Sequence, residues 1–102
     1  MIIAFDVDGT LIDYNEQPRR LMVLLAQTML EWQFLDPEQI AVIVWSGGGK
    51  EYAEMWADRL GLHGAVCLAK FPESALPHVD IAFDDEKDTL LADQMLIVGR
   101  FL

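Results

Sequence analysis

The segment that decides the fold lies at the start of the chain, where residues 2–11 read IIAFDVDGTL. Residues 2–5 are apolar and stop abruptly at Asp6, a pattern typical of a strand that is buried on both faces. Strands of this kind belong to parallel sheets, because the helices that connect parallel strands cover the faces of the sheet. The segment therefore predicts an α/β domain with a functional residue where the first strand ends.

The rest of the sequence alternates between helix and strand signals, as a parallel sheet requires. Asn15 is predicted to cap a first helix that holds Pro18 in its first turn and runs to about Phe34. A second helix is predicted over residues 50–60, where Gly61 ends it. Further strands are expected at residues 41–45, 65–68, 79–83 and 95–98. These elements predict a single Rossmann-like domain across the whole chain, with a parallel sheet and helices on both faces.

Composition fits one globular domain and argues against several classes of function. The chain has 102 residues, 53% of them hydrophobic, and a formal net charge of −10. This charge disfavours nucleic acid as a partner, because nucleic-acid binding needs a basic surface. No apolar run reaches the roughly 20 residues of a membrane span, and Met1 leads directly into a strand without a signal-peptide pattern. Because the single cysteine, Cys67, suits a reducing compartment, we expect a cytoplasmic protein without a membrane partner.

Polar side chains follow four of the predicted strands, at the point where each strand ends. They are Asp6 and Asp8 after the first strand, Ser46 after the second, Lys70 after the third, and Asp84 and Asp85 after the fourth. Because the carboxyl ends of parallel strands meet at one edge of the sheet, we expect these side chains to form one site. Clustered carboxylates repel one another unless a cation lies among them, and oxygen ligands suit Mg²⁺. The sequence therefore predicts a magnesium site.

These residue types suit the hydrolysis of a phosphate ester. A carboxylate can attack phosphorus and form an acyl phosphate, which divides a difficult reaction into two easier steps. A second carboxyl group can protonate the leaving oxygen and then activate water. Hydroxyl, amide and ammonium groups, together with Mg²⁺, can neutralise the remaining phosphate oxygens.

The motifs also resemble those of a known family. Residues 6–11, DVDGTL, resemble the signature of the haloacid-dehalogenase-like (HAD) superfamily of phosphohydrolases. Ser46, Lys70 and the Asp84-Asp85 pair resemble the second, third and fourth motifs of that family, in the same order. The resemblance implies that Asp6 is the nucleophile and a metal ligand. It also implies that Asp8 is the general acid and base, whose backbone carbonyl contacts the metal.

The resemblance implies roles for the other motif residues as well. Thr10, Ser46 and Gly47 would contact phosphate, and Lys70 would offset the charge of the nucleophile and of the transferring phosphoryl group. Asp84, with Asp85 beside it, would anchor Mg²⁺ directly or through water.

Two assignments and the function itself stay open at this point. Asp88 is a third possible metal anchor, and Lys50 is a rival to Lys70 for the phosphate. The gaps around the motifs leave no room for a cap domain, so the chain is expected to be a bare core with an unidentified phosphorylated substrate. One alternative is a regulatory module that binds Mg²⁺ and phosphate without turnover. Another is a dehalogenase, which Asp8 disfavours because a halide leaving group needs no proton.

The predicted first helix is apolar on nearly every side from Leu21 to Leu35. A helix of this kind is normally buried on more than one side. Its second side is covered either by the last segment of the chain or by another subunit. The second choice predicts a homodimer with contacts that include Leu24, Trp32 and Leu35.

Overall fold

The computed structural model describes residues 1–72, 75–86 and 91–99. The elements in these ranges are β1 (Ile2–Asp6), α1 (Arg20–Leu35), β2 (Ala41–Ser46), α2 (Lys50–Arg59), β3 (Val66–Ala69), β4 (Ile81–Asp84) and β5 (Gln94–Ile97). The strands form one sheet in the order β3-β2-β1-β4-β5, and all neighbouring strands are parallel. The predicted α/β class with a parallel sheet is confirmed.

The strand order places β1 in the centre of the sheet. From β1 the chain first adds β2 and β3 on one side, and then adds β4 and β5 on the other. In sheets of this kind ligands bind beyond the carboxyl ends of the strands where the order reverses, here between β1 and β4. Phe5 pairs with Phe83 in the register of these two strands, and their rings stack with centroids 4.9 Å apart. Asp6 and Asp84, the next residues, therefore leave the sheet side by side.

The two faces of the sheet have different covers. One face packs against both α1 and α2, in a cluster that includes Phe5 and Val44. The other face carries Trp45, which packs with Val79 and Leu91 in connections outside the named helices. The sequence predicted helices on both faces, but the two helices of the described ranges share one. The reason is that two successive right-handed crossovers in the same direction, from β1 to β2 and from β2 to β3, leave their helices on the same side.

Helix α1 begins at Arg20, so the predicted start at Asn15 is wrong. The preceding segment is a turn in which an oxygen of Asp13 accepts hydrogen bonds from the backbone N–H groups of Asn15 and Gln17, at 2.8 and 2.9 Å. Glu16 adopts a φ of 60°, which no helix tolerates, and Pro18 lies in an isolated bridge before the helix. Local side-chain hydrogen bonds thus favour a turn over an early helical start. The other boundaries agree with the predicted ones to within two residues.

The outward side of α1 carries exposed apolar residues such as Leu21, together with exposed polar residues such as Gln27 and Glu31. Its buried residues are Met22, Val23, Ala26 and Leu30. Leu24, Trp32 and Leu35 are exposed, so the proposed dimer contacts lie on the surface of the chain. The homodimer stays a prediction, which sedimentation at micromolar concentration would test. Among the helices that the structure describes, none has the length and hydrophobicity needed to span a bilayer.

Candidate active site

Asp6 is the last residue of β1 and is almost completely buried. Its Oδ1 lies 2.9 Å from the ammonium nitrogen of Lys70, and its Oδ2 accepts a long hydrogen bond of 3.4 Å from the hydroxyl of Thr10. Thr10 reaches this position because the N–H groups of residues 10–12 converge on the carbonyl oxygen of Val7, which curls the chain back toward β1. Both oxygens of the predicted nucleophile therefore have a partner.

Lys70 links two carboxylates across the carboxyl edge of the sheet. Its Nζ lies 2.9 Å from Asp6 Oδ1 and 2.5 Å from Asp84 Oδ2. Its backbone N–H donates to the carbonyl oxygen of Ser46, which attaches the end of β3 to the end of β2. The rival lysine, Lys50, is exposed and pairs instead with Glu54 on the same helix, at 3.9 Å. Of the two lysines, the structure places Lys70 against Asp6.

Asp84 is the last residue of β4, Asp85 follows it, and both lie beside Asp6. Asp84 is buried, and its second oxygen accepts a hydrogen bond of 3.0 Å from the backbone N–H of Glu86. Ligand oxygens of Asp6, Asp84 and Asp85 all lie within 4.8 Å of one another. Three clustered carboxylate oxygens form a donor set that suits Mg²⁺, which prefers hard oxygen ligands. Asp88, the third possible anchor, lies outside the described residues.

Gly9 makes this close approach of the loop to Asp85 feasible. It has a φ of +81°, which favours glycine, and a β-carbon at this position would overlap the carboxylate of Asp85. The hydroxyl of Tyr14, from the same loop, donates a hydrogen bond to Asp85 Oδ2. The loop that follows β1 therefore packs directly on Asp85, the first residue after β4.

Ser46 ends β2 and is buried next to the carboxyl end of β1. Its Oγ accepts a hydrogen bond of 2.9 Å from the N–H of Gly48, so its own hydroxyl hydrogen can be donated to a ligand. Gly47 lies beside it, and a β-carbon there would come within 3.7 Å of the ring of Phe71. Ser46 and Gly47, two of the predicted phosphate contacts, thus lie at the carboxyl edge of the sheet.

Asp8 is half-buried and does not join the contacts of Lys70 in the described structure. Its Oδ1 accepts a hydrogen bond of 2.7 Å from the hydroxyl of Tyr52, in the first turn of α2. Sequence reasoning missed both Tyr52 and Tyr14. The only signal available was position, because each tyrosine lies a few residues beyond a motif that was recognised.

The burial of these charges shifts their ionisation. Burial raises the pKa of Asp6 from its ordinary 3.8 to about 7, with the opposing effect of Lys70 too small to prevent it and with Asp84 and Asp85 adding to the rise. Burial alone would lower the pKa of Lys70, but its contacts with Asp84 and Asp6 outweigh this effect and raise it. Lys70 is therefore a stable cation, while the charged form of Asp6 is disfavoured. A bound dication would favour that charged form.

No protein-family model, curated protein or solved structure matches this chain. The HAD-like assignment therefore stays a prediction from the motifs. The chemistry of the site must therefore be inferred from its own residues. These are two buried aspartates that contact the same lysine, with a third aspartate and two hydroxyl groups beside them.

Proposed function

We propose that this chain is a Mg²⁺-dependent phosphomonoesterase of HAD-like type that acts through an aspartyl-phosphate on Asp6. The observation that carries the proposal is the contact of the Lys70 ammonium group with both Asp6 and Asp84, at 2.9 and 2.5 Å. A buried carboxylate beside a fixed cation and a group of metal-binding oxygens has the features of an activated nucleophile for an anionic substrate.

In the first step, an oxygen of Asp6 attacks phosphorus and forms the acyl-phosphate bond. The bond between phosphorus and the leaving oxygen breaks, and Asp8 donates its proton to that oxygen as it departs. Lys70 offsets the negative charge that the phosphoryl group brings to Asp6. Ser46, Thr10 and Gly47 contact the remaining phosphate oxygens.

In the second step, water replaces the leaving group. Asp8, now a carboxylate, accepts a proton from water while the water oxygen attacks phosphorus. The bond between phosphorus and Asp6 breaks, which releases inorganic phosphate and restores the carboxylate of Asp6. Asp8 is protonated again, so both residues return to their starting states.

Asp6, Asp84 and Asp85, with the backbone carbonyl of Asp8, would hold the Mg²⁺ ion. The clustering of their oxygens within 4.8 Å supports this assignment. When bound, Mg²⁺ supplies positive charge that reduces the repulsion between carboxylates and phosphate. The proposed setting is the cytoplasm, where a free thiol such as Cys67 stays reduced.

The test is a screen of phosphorylated metabolites with Mg²⁺, in which phosphate release is measured for the wild type, Asp6→Asn and Asp93→Asn. Asp93 is an exposed aspartate outside the site, so its variant is a matched control for the loss of one negative charge. We expect release by the wild type and by Asp93→Asn, and none by Asp6→Asn or after metal removal. Phosphate binding without release on any substrate would instead support the regulatory module. Halide release from a haloacid would support a dehalogenase.

A further inference from the structure

Tyr52 holds the side chain of Asp8 from a different element of the fold. Its hydroxyl donates to Asp8 Oδ1 at 2.7 Å, and its ring packs against the core cluster that includes Phe5 and Val44. A β-carbon on Gly48 would lie 3.1 Å from the ring, so the ring rests directly on the glycine loop that follows β2. The tyrosine hydroxyl is therefore held from two sides at a fixed place beside Asp8.

This contact distinguishes the two oxygens of Asp8. The oxygen that accepts from Tyr52 is engaged in both protonation states, because a tyrosine hydroxyl can donate to a neutral or a charged carboxyl group. The other oxygen, Oδ2, is then the one that carries a proton toward a leaving group. A hydrogen bond that fixes the acid in this way lowers the conformational cost of reaching the reactive geometry.

We propose that Tyr52 is a positioning residue that fixes Asp8 as the general acid, an inference that rests on the proposed phosphatase function. Tyr14 offers a natural comparison, because it makes the same type of tyrosine–aspartate contact with Asp85. Asp85 belongs to the metal-binding group and transfers no proton in the proposed reaction. Loss of the Tyr52 hydroxyl should therefore slow mainly the substrates that need proton donation, whereas loss of the Tyr14 hydroxyl should not discriminate between substrates.

Substrates with different leaving groups can show whether Tyr52 positions Asp8 or only supports the structure of the site. An alkyl phosphate expels a strongly basic alkoxide and depends on proton donation, whereas para-nitrophenyl phosphate expels a stable phenolate and depends on it little. Displacement of Asp8 should slow the first substrate selectively. General damage to the site should slow both equally. The ratio kcat/KM is the appropriate quantity, because it does not include the second step, which both substrates share.

The experiment measures kcat/KM for β-glycerophosphate and para-nitrophenyl phosphate, at saturating Mg²⁺, in the wild type, Tyr52→Phe and Tyr14→Phe. For Tyr52→Phe we expect a loss of about tenfold with the alkyl substrate and less than about twofold with the aryl substrate. For Tyr14→Phe any loss should be the same for both substrates. Melting temperatures within a few degrees of the wild type would show that the variants are folded.

Equal losses with both substrates in Tyr52→Phe would overturn the positioning role while leaving the phosphatase function intact. A wild type that hydrolyses neither substrate nor any other phosphate ester would overturn the proposed function, and the role of Tyr52 with it. If Tyr52→Phe does not fold, Gly48→Ala disturbs the same contact while keeping the tyrosine, because a β-carbon there would lie 3.1 Å from the ring. A loss with the alkyl substrate that exceeds the loss with the aryl substrate is then expected, and equal losses would overturn the positioning role.

Discussion

Two groups of carboxylates lie at opposite ends of the sheet. The Lys70 cluster, at the carboxyl ends of β1 and β4, consists of Lys70, Asp6, Asp84 and Asp85. The His78 cluster, where β4 and β5 begin, consists of His78, Asp80 and Asp93. Each cluster brings three possible ligand atoms within 4.8 Å of one another, so geometry alone does not separate them.

Burial separates the two clusters. The side chain of Asp84 is 2% exposed and that of Lys70 is 12% exposed, whereas those of His78 and Asp93 are 69% and 60% exposed. Water stabilises the exposed charges, so the His78 cluster needs no further cation. In the Lys70 cluster, burial raises the pKa of Asp6 to about 7, despite the nearby ammonium group. Charge that is buried and only partly balanced by opposite charge is therefore a better indicator of a functional site than the number of acidic groups.

The largest expected difference between the clusters is in activity. Asp6→Asn should lower phosphate release by at least about 1,000-fold, because the amide is a poor nucleophile in place of the attacking carboxylate. Asp93→Asn removes the same charge from the His78 cluster and should retain wild-type activity within about twofold. The measurement is kcat/KM on the best substrate found in the screen. Comparable losses in the two variants would show that burial is a poor guide to the catalytic cluster.

The second difference is in stability. Lys70→Met leaves Asp6 and Asp84 buried without their cation, so we expect a loss of about 3 kcal/mol in the free energy of unfolding. His78→Gln removes a solvated partner from the half-buried Asp80 and the exposed Asp93 and should cost less than about 1 kcal/mol. Urea unfolding of metal-free protein at pH 8 measures both values. The comparison fails if the histidine variant is the less stable one.

The third difference is in the response to Mg²⁺. An ion that binds only the folded state stabilises it by about 2.7 kcal/mol at 100 times its dissociation constant, which raises the melting temperature. This rise should become smaller in Asp85→Asn and stay unchanged in Asp93→Asn. Thermal unfolding with and without Mg²⁺ provides the measurement. The reverse result would place the ion in the His78 cluster.

The last expected effect concerns pH in the metal-free protein. The folded state raises the pKa of Asp6 from 3.8 to about 7, so it holds this proton more tightly than the unfolded chain does. The resulting stabilisation is fully present below pH 3.8 and is lost as the pH rises through about 7. Asparagine does not titrate, so Asp6→Asn does not lose this stabilisation. As the pH rises from 5 to 8, the stability of Asp6→Asn should therefore increase relative to that of the wild type. Melting temperatures in a chelator at pH 5 and pH 8 test the sign, and a relative loss at pH 8 would contradict it.

Sequence patterns predicted all four residues of the Lys70 cluster and none of the His78 cluster. Asp6 and Asp84 each end an apolar strand and Lys70 follows one, and a parallel sheet brings such strand ends close together. His78 precedes β4 and Asp93 precedes β5, so these two residues meet only because the two strands are neighbours. His78 is exposed, and no local pattern in the sequence indicated the two aspartates beside it.

The tyrosine contacts were unpredictable for a related reason. Tyr52 and Asp8 are separated by 44 positions, and Tyr14 and Asp85 by 71. No local periodicity encodes such pairs. The early start predicted for α1 has a different cause, because the competing hydrogen bonds of Asp13 outweighed the capping signal at Asn15.

By itself, the sequence determined that the chain forms a parallel α/β sheet and which residue types stand where its strands end. These properties depend on local runs of apolar residues and on the polar residues that interrupt them. Only the tertiary structure decided that β4 lies beside β1, which brings Asp84 to Asp6, and that Lys70 reaches both from the end of β3. Strand order depends on the direction of each crossover and on the packing of whole elements, and neither leaves a signal within a single segment.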